Sequence, residues 1–289
     1  MTAITIKDFK KYYGNKVGVE SADFEVNEGE IFGFIGPNGA GKSTTIRAIL
    51  GLLKPTSGTI KVFDIDCINN GELARKNIGY MPSEIALYGN MTGRQLLKFT
   101  CDLYKHNYDK IDDLAKTFDI EIDRKIKELS FGNKKKLMIV SALVSEPKLI
   151  ILDEPTTGLD PVMQRVFFTQ MKEEQKRGAT ILMSSHVLND VQKICDRVGI
   201  MKNGKLMTIE KISEFKNKYL KTVQFDCDSQ INSIKLKGVN NFLKEDGHYT
   251  FQYKGKINDL LQYLSECDIK NLSIVDSDLD SVFLHYYLG

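Results

Sequence analysis

No apolar run in the 289-residue chain approaches the ~20 residues needed to span a bilayer as a helix. The longest, such as 149–152, are only a few residues. Net charge is nearly absent too. The chain has 40 Lys+Arg against 38 Asp+Glu, a formal charge of +2, and lacks the electrostatic footprint of a protein built to grip a polyanion. Nucleic acid is therefore not an expected partner. Cysteine is sparse. Cys67, Cys101, Cys195, Cys227 and Cys267 are scattered, with no CxxC pair. They read as reduced cytosolic thiols, not as a disulfide frame or a zinc site. Residues 1–11 carry a charge every few positions and no leader-type hydrophobic segment, so no secretory signal is expected. Internal repeats, low-complexity tracts and sustained heptads are absent as well.

What is present is ordinary globular composition, 42% apolar and 27% charged, which argues against wholesale disorder. At ~100–200 residues per domain the length suggests two domains, or one with an appendage. Residues 3–6 and 24–26 have strand character. Residues 30–35 form an apolar strand leading into a Gly-rich loop, and 44–53 have helical spacing, with Ile46, Ile49, Leu50 and Leu53 on one face. From 83 to 144 the pattern is mostly helical. Thr92-x-x-Gln95 reads as a capping box opening one helix, and another runs from Phe131 or Gly132 to Leu143. Residues 148–152 are a continuous apolar strand of the buried parallel kind. Next come a helix at 161–176, a strand at 180–184 and a helix at 187–195. Strands at 198–201 and 205–209 flank Asn203-Gly204, a type I′ hairpin signal. A Lys-rich connector at 211–221 marks the domain boundary. Beyond it the expectation is strands at 222–228 and 234–236, a hairpin at Asp246-Gly247, a helix at 257–266, a strand at 272–275 and a last helix at 278–287. Lysines and acids nearly balance in this part, so it is not a basic arm.

Gly36-Pro37-Asn38-Gly39-Ala40-Gly41-Lys42-Ser43 lies between an apolar strand and a helix, where a phosphate-binding loop belongs. Its glycines let consecutive backbone N–H groups turn toward an anion, and the following helix aims its positive dipole end at the same point. Lys42 can reach terminal phosphates, and the Ser43 hydroxyl can ligate Mg²⁺. The second informative run is Leu149-Ile150-Ile151-Leu152-Asp153-Glu154. A buried strand ending in paired acids offers Asp153 as the Mg²⁺ partner and Glu154 as the base that deprotonates an attacking water. Three charges at Lys134–Lys136 read as the solvated face of a helix start.

With these motifs in hand, residues 1–215 resemble the nucleotide-binding subunits of ABC transporters. Leu129-Ser130-Phe131-Gly132-Asn133 looks like the family's signature loop, Thr157-Gly158-Leu159-Asp160 like its D-loop, His186 like its switch histidine and Tyr13 like its adenine-stacking aromatic. The resemblance implies an α/β fold: a P-loop NTPase core of the ABC ATPase type with an antiparallel β subdomain, a helical subdomain at about 84–145 and, at 216–289, a small C-terminal α+β domain. It implies ATP and Mg²⁺ as cofactors, bound by Tyr13, residues Gly36 to Ser43, Thr44, Ser130, Gly132 and Asp160. Glu154, His186 and Lys42 are then catalytic, and Ser43, Asp153 and, at the Q-loop position, Ser83 are the metal-side residues.

The same resemblance implies a head-to-tail homodimer or heterodimer around two ATP molecules. An integral membrane permease is the partner, and the location is the cytoplasmic face of the membrane. Asp278-Leu279-Asp280-Ser281-Val282-Phe283 resembles the appendage of a bacterial exporter class with separate ATPase and membrane chains. The alternative is a soluble regulatory or translation-associated ATPase of the same superfamily. A single phosphate loop and the lack of heptads disfavour it. The sequence departs from the family in having Ser83 for a glutamine, Phe131 for a glycine and Asn133 for a glutamine.

Overall fold

Half-buried and fully buried strands leave different marks in a sequence, and both kinds occur. Along the second half of β2 (Lys16–Asn27) the pattern alternates, with Ala22, Phe24 and Val26 inward and Ser21, Asp23 and Glu25 outward, whereas in β1 (Thr2–Tyr13) it is broken where Lys7 and Asp8 are both exposed and Asp8 takes φ 51°. These two strands pair antiparallel, and β1 also pairs with β4 (Ser57–Val62), which pairs with β5 (Ile65–Asp66). By contrast β3 (Ile31–Ile35), β7 (Leu149–Asp153) and β8 (Thr180–Ser185) are buried at every position, as parallel strands covered on both faces must be. β3 pairs parallel with β8 and with β9 (Arg197–Lys202), β7 with β8, and β6 (Ile78–Met81) with β7.

The structure, a computed structural model, describes residues 1–214, 221–227, 231 and 233–276. The chain divides into two units, Met1–Ile212 and Ser213–Gly289. In the first, ten strands run in the order β5-β4-β1-β2-β10-β9-β3-β8-β7-β6. The antiparallel and parallel halves meet where β10 (Lys205–Lys211) touches β2 through one parallel pair, Lys205 with Ser21. The β9–β10 hairpin turns on Asn203 (φ 49°) and Gly204 (φ 79°), the two positive dihedrals of a type I′ turn. Phe24, Phe32, Phe34, Ile46, Ile49, Ile151 and Leu182 share one core.

The helices of this unit are α1 (Lys42–Ile49), α2 (Gly71–Arg75), α3 (Gly93–Tyr104), α4 (Lys110–Thr117), α5 (Phe131–Leu143), α6 (Pro161–Lys176) and α7 (Leu188–Ile194), with α3 and α4 packed on α5 and on each other. The capping box at α3 forms as expected. Thr92 Oγ1 accepts from Gln95 N–H (3.2 Å), and Gln95 Oε1 accepts from Thr92 N–H (2.8 Å). α5 is buried on nearly every side, Lys135 through Val140 included, so it is a central element and not an amphipathic surface helix. Among the described residues no helix is long and apolar enough to cross a membrane.

The second unit is α+β. Strands β11 (Lys221–Cys227), β12 (Val239–Glu245), β13 (His248–Tyr253) and β14 (Ile269–Asp276) pair in the order β12-β13-β11-β14, with α8 (Ile257–Ser265) between β13 and β14 in sequence. Val223, Phe225, Tyr249, Phe251 and Leu260 form its core.

Several elements differ from expectation. Residues 234–236 are not a strand: Val239 N–H turns back to the Leu236 carbonyl, and Gly238 takes φ 98°. Ile234 and Leu236 still pack on the core, which accounts for their alternating pattern. The first helix stops at Ile49 and not at Leu53, because Gly51 at φ 64° reverses the chain. Lys211 ends β10, and a helical turn occupies 212–214. β4, β5 and the short helices α2 and α4 were not anticipated. The helix expected at 278–287 and residue 228 of the strand expected at 222–228 lie outside the described residues. All five cysteines are free thiols.

Candidate active site

The loop after β3 turns into α1 at Gly41, whose φ of 105° is left-handed territory open to glycine and strained for other residues. A cavity of about 460 Å³ opens over this loop. Pro37, Asn38, Gly39, Ala40, Gly41, Lys42, Ser43 and Thr44 line it, together with Tyr13, Lys16, Val17, Gly18, Ser83 and Glu154. Tyr13 arrives from the end of β1 and is 46% exposed. The missing side chain at Gly18 makes room for its ring, since a Cβ there would lie 2.7 Å from Tyr13 Cε2. The Lys11 ammonium stands 5.1 Å from the ring centroid. Lys16, Val17 and Gly18 were missed in the sequence. Their signal is the Gly14-Asn15 turn, which folds β2 back so that Val17 pairs with Tyr12.

Lys42 is the first residue of α1 and is 5% exposed. Its Nζ donates to the carbonyls of Gly36 (2.5 Å) and Pro37 (3.3 Å) and lies 3.4 Å from Glu154 Oε1. Glu154 Oε2 is 2.7 Å from His186 Nδ1. A carboxylate only accepts, so the proton of this hydrogen bond sits on Nδ1. Glu154 Oε1 is buried and has no hydrogen-bond donor. Lys42, Glu154 and His186 thus form one row of contacts, of which Lys42 and Glu154 line the cavity.

The backbone beneath this carboxylate is unusual. Glu154 has φ 53°, a conformation that costs a non-glycine residue free energy and persists only where neighbours fix it. Two neighbours do. Its N–H donates to Ser184 Oγ (3.0 Å), and its carbonyl accepts from Lys135 Nζ (2.9 Å). The Ser184 hydroxyl in turn donates to Asp153 Oδ1 at 2.6 Å, so Asp153, 1% exposed, is anchored from the neighbouring strand. Burial pushes the nearby Tyr80 hydroxyl up to about 12, and the charge of Asp153 adds to the effect.

Lys134–Lys136 is not a solvated face. Lys135 is 2% and Lys136 9% exposed; Lys136 Nζ donates to the Asp119 carbonyl at 2.7 Å. Burial pulls the Lys135 ammonium below its ordinary value, opposed by the charges of Glu154 and Asp153. The local charge run could not reveal that α5 is buried from Lys135 to Val140.

Ser130, Gly132 and Asp160 do not line the cavity. Ser130 caps α5, accepting from Asn133 N–H at 3.2 Å. Asp160 caps α6, its Oδ1 accepting from both Val162 and Met163 N–H at 2.9 Å. Phe131, 63% exposed, lays its ring against Gly158. Among the described residues no group of three or more His, Cys, Asp or Glu side chains could hold a metal alone.

A family model described as ABC transporter matches residues 19–157. The bacitracin transport ATP-binding protein BcrA of Bacillus licheniformis is 32% identical over 98% of this chain and 96% of its own length. The Nod factor export ATP-binding protein I of Rhizobium etli is 35% identical over 71% of this chain and 67% of its own. A solved structure of an ATP-binding subunit of an ABC transporter superposes with a TM-score of 0.70 at 32% identity, covering 75% of this chain and 93% of that one. With the phosphate loop, the paired acids and the histidine assembled on such a core, the chain belongs to the ABC transporter family, as an ATP-binding, ATP-hydrolysing subunit.

Proposed function

We propose that this chain hydrolyses Mg²⁺-ATP at the cavity over Gly36–Thr44, with Glu154 as the base, and that it does so as one of two cassettes driving a separate membrane-spanning exporter. The observation that carries the reading is the Glu154 carboxylate, which meets Lys42 on one oxygen and His186 on the other.

The phosphates of ATP enter the ring of loop N–H groups, and Lys42 exchanges its contacts with Gly36, Pro37 and Glu154 for the terminal phosphates. The adenine lies against Tyr13. The Ser43 hydroxyl and Asp153 are the hard oxygen donors that would hold Mg²⁺. One carboxylate and one hydroxyl, completed by phosphates and water, suit that ion better than an all-protein cage. When bound, the metal neutralises charge building on the phosphate oxygens. Glu154 Oε1 takes the proton of the attacking water, while His186 holds Oε2 and so fixes the direction of the carboxylate. The water oxygen bonds to the γ-phosphorus as the bond to the β-γ bridging oxygen breaks, leaving ADP and phosphate.

Ser130 and Gly132 lie outside their own cavity at the N-terminal tip of α5, whose N–H groups and dipole favour an anion. A second copy or a related cassette, docked head to tail, would bring its bound γ-phosphate to this tip, with Asp160 beside it. Val162 (65%) and Phe131 (63%) are exposed on the two helix starts, which fits such a contact. The BcrA resemblance extends over nearly the whole chain and supports the exporter class, with a permease on a separate polypeptide and this subunit at the cytoplasmic face. The test is co-purification from mild detergent with identification of the bound membrane protein, followed by ATPase assay of the complex. Recovery without any integral membrane partner would count against the reading.

A further inference from the structure

Lys135 is 2% exposed, and lysine is almost never buried to this degree without a partner. It does not line the nucleotide cavity, and the hydrolysis described above makes no use of its charge. Its Nζ donates to the carbonyl of Glu154 at 2.9 Å, at the one residue of the site with a left-handed, non-glycine backbone, φ 53°. The opposite side of that same residue is held by Ser184 Oγ at 3.0 Å. Lys135 stands on α5, one turn beyond Ser130.

We propose that Lys135 is a positioning residue for hydrolysis: by pinning the Glu154 carbonyl it fixes the left-handed turn that aims the Glu154 carboxylate at the cavity, and it ties that aim to the helix whose tip carries Ser130. The proposal rests on Glu154 being the base. At the end of β7 the direction of the side chain is set by φ and ψ, and a strained turn relaxes once its carbonyl loses its donor. A carboxylate displaced by about an ångström leaves the water less well held, at a cost that falls on turnover and not on nucleotide affinity. Because the donor sits on α5, a shift of that helix by a docking cassette is transmitted to Glu154 through the Lys135 side chain alone.

The test uses the full-length chain and two substitutions. Lys135→Met keeps the length and removes the donor; Lys135→Gln keeps a shorter, neutral donor. Affinity for a fluorescent ATP analogue, kcat and KM are measured for each, with thermal unfolding as the check on folding. The expected result is a kcat reduced about tenfold or more in Lys135→Met, with nucleotide affinity within about twofold of wild type, and an intermediate kcat in Lys135→Gln. A folded Lys135→Met with wild-type kcat overturns the proposal, as does a parallel loss of affinity and turnover. Should Lys135→Met not fold, Lys135→Gln decides alone: a lowered kcat at unchanged affinity supports the role, and an unchanged kcat overturns it. Glu154→Gln in the same assay separates the two ideas. If that variant hydrolyses normally, the base assignment itself fails. If it is inactive while Lys135→Met is normal, only the positioning role fails.

Discussion

The Ser184 hydroxyl donates to Asp153 Oδ1 at 2.6 Å and accepts from Glu154 N–H at 3.0 Å. One side chain on β8 therefore orders both acids at the end of β7. Ser184→Ala should leave a fully buried carboxylate oxygen and a backbone N–H without that partner. Each such loss costs about 1–3 kcal/mol, so the denaturant midpoint should fall. Steady-state ATPase activity should drop further than the stability loss explains, because both Asp153 and Glu154 lose orientation. Wild-type turnover in Ser184→Ala would show that the hydroxyl is a bystander.

Glu154→Gln keeps the size of the side chain and removes its ability to take a proton. Hydrolysis should fall by about 10²-fold or more, within the range attributed to general-base catalysis. ATP binding should persist, since the loop N–H groups and Lys42 remain. With ATP and Mg²⁺ present, the variant should elute as a dimer in size-exclusion chromatography with light scattering, because the closed state no longer turns over. Normal hydrolysis would remove Glu154 from its proposed role. A persistent monomer, with the permease supplied, would count against the head-to-tail arrangement.

The parts of this site that were legible in the sequence are those whose meaning is local. The phosphate loop is a strand, a run of eight residues and a helix in immediate succession, and the Asn203-Gly204 turn and Thr92 capping box are set by residues within four positions. Ser184 and Lys135 were not legible as partners of the acids. They act across 31 and 19 residues of chain, respectively, and a serine in a strand or a lysine among lysines has no distinguishing local pattern. The solvated reading of Lys134–Lys136 failed for the same reason, since burial of α5 is imposed by elements distant in sequence. In the C-terminal unit, Ile234 and Leu236 alternate like a strand because they pack on a core. The turn at Lys237-Gly238 decides their conformation instead.

Gly79 in β6 is a close-approach site. A Cβ there would collide with the Ala142 carbonyl and lie 2.7 Å from Pro147 Cγ. Neither a helix carbonyl nor a proline ring can swing aside, so Gly79→Ala should force β6 and α5 apart. The expected cost is about 1–3 kcal/mol, the usual range for an overpacked interior. Chemical denaturation should show a lower midpoint with little change in slope. An unchanged midpoint would mean that the β6–α5 contact is looser than this packing implies.

Ser83 lies two residues past the end of β6 and, like Glu154, lines the cavity. The family pattern has a glutamine here, and the serine hydroxyl reaches less far toward Ser43 and Asp153. A shorter side chain at the junction between the nucleotide cavity and the helical layer should leave hydrolysis slow, or dependent on what the permease contributes. Ser83→Gln restores a long amide that can both donate and accept. Basal turnover should therefore rise severalfold while stimulation by the permease becomes smaller, measured as ATPase activity of the free subunit and of the reconstituted complex. If both rates match wild type, the residue at this position does not limit hydrolysis, and the cause of any slow basal rate lies elsewhere in the site.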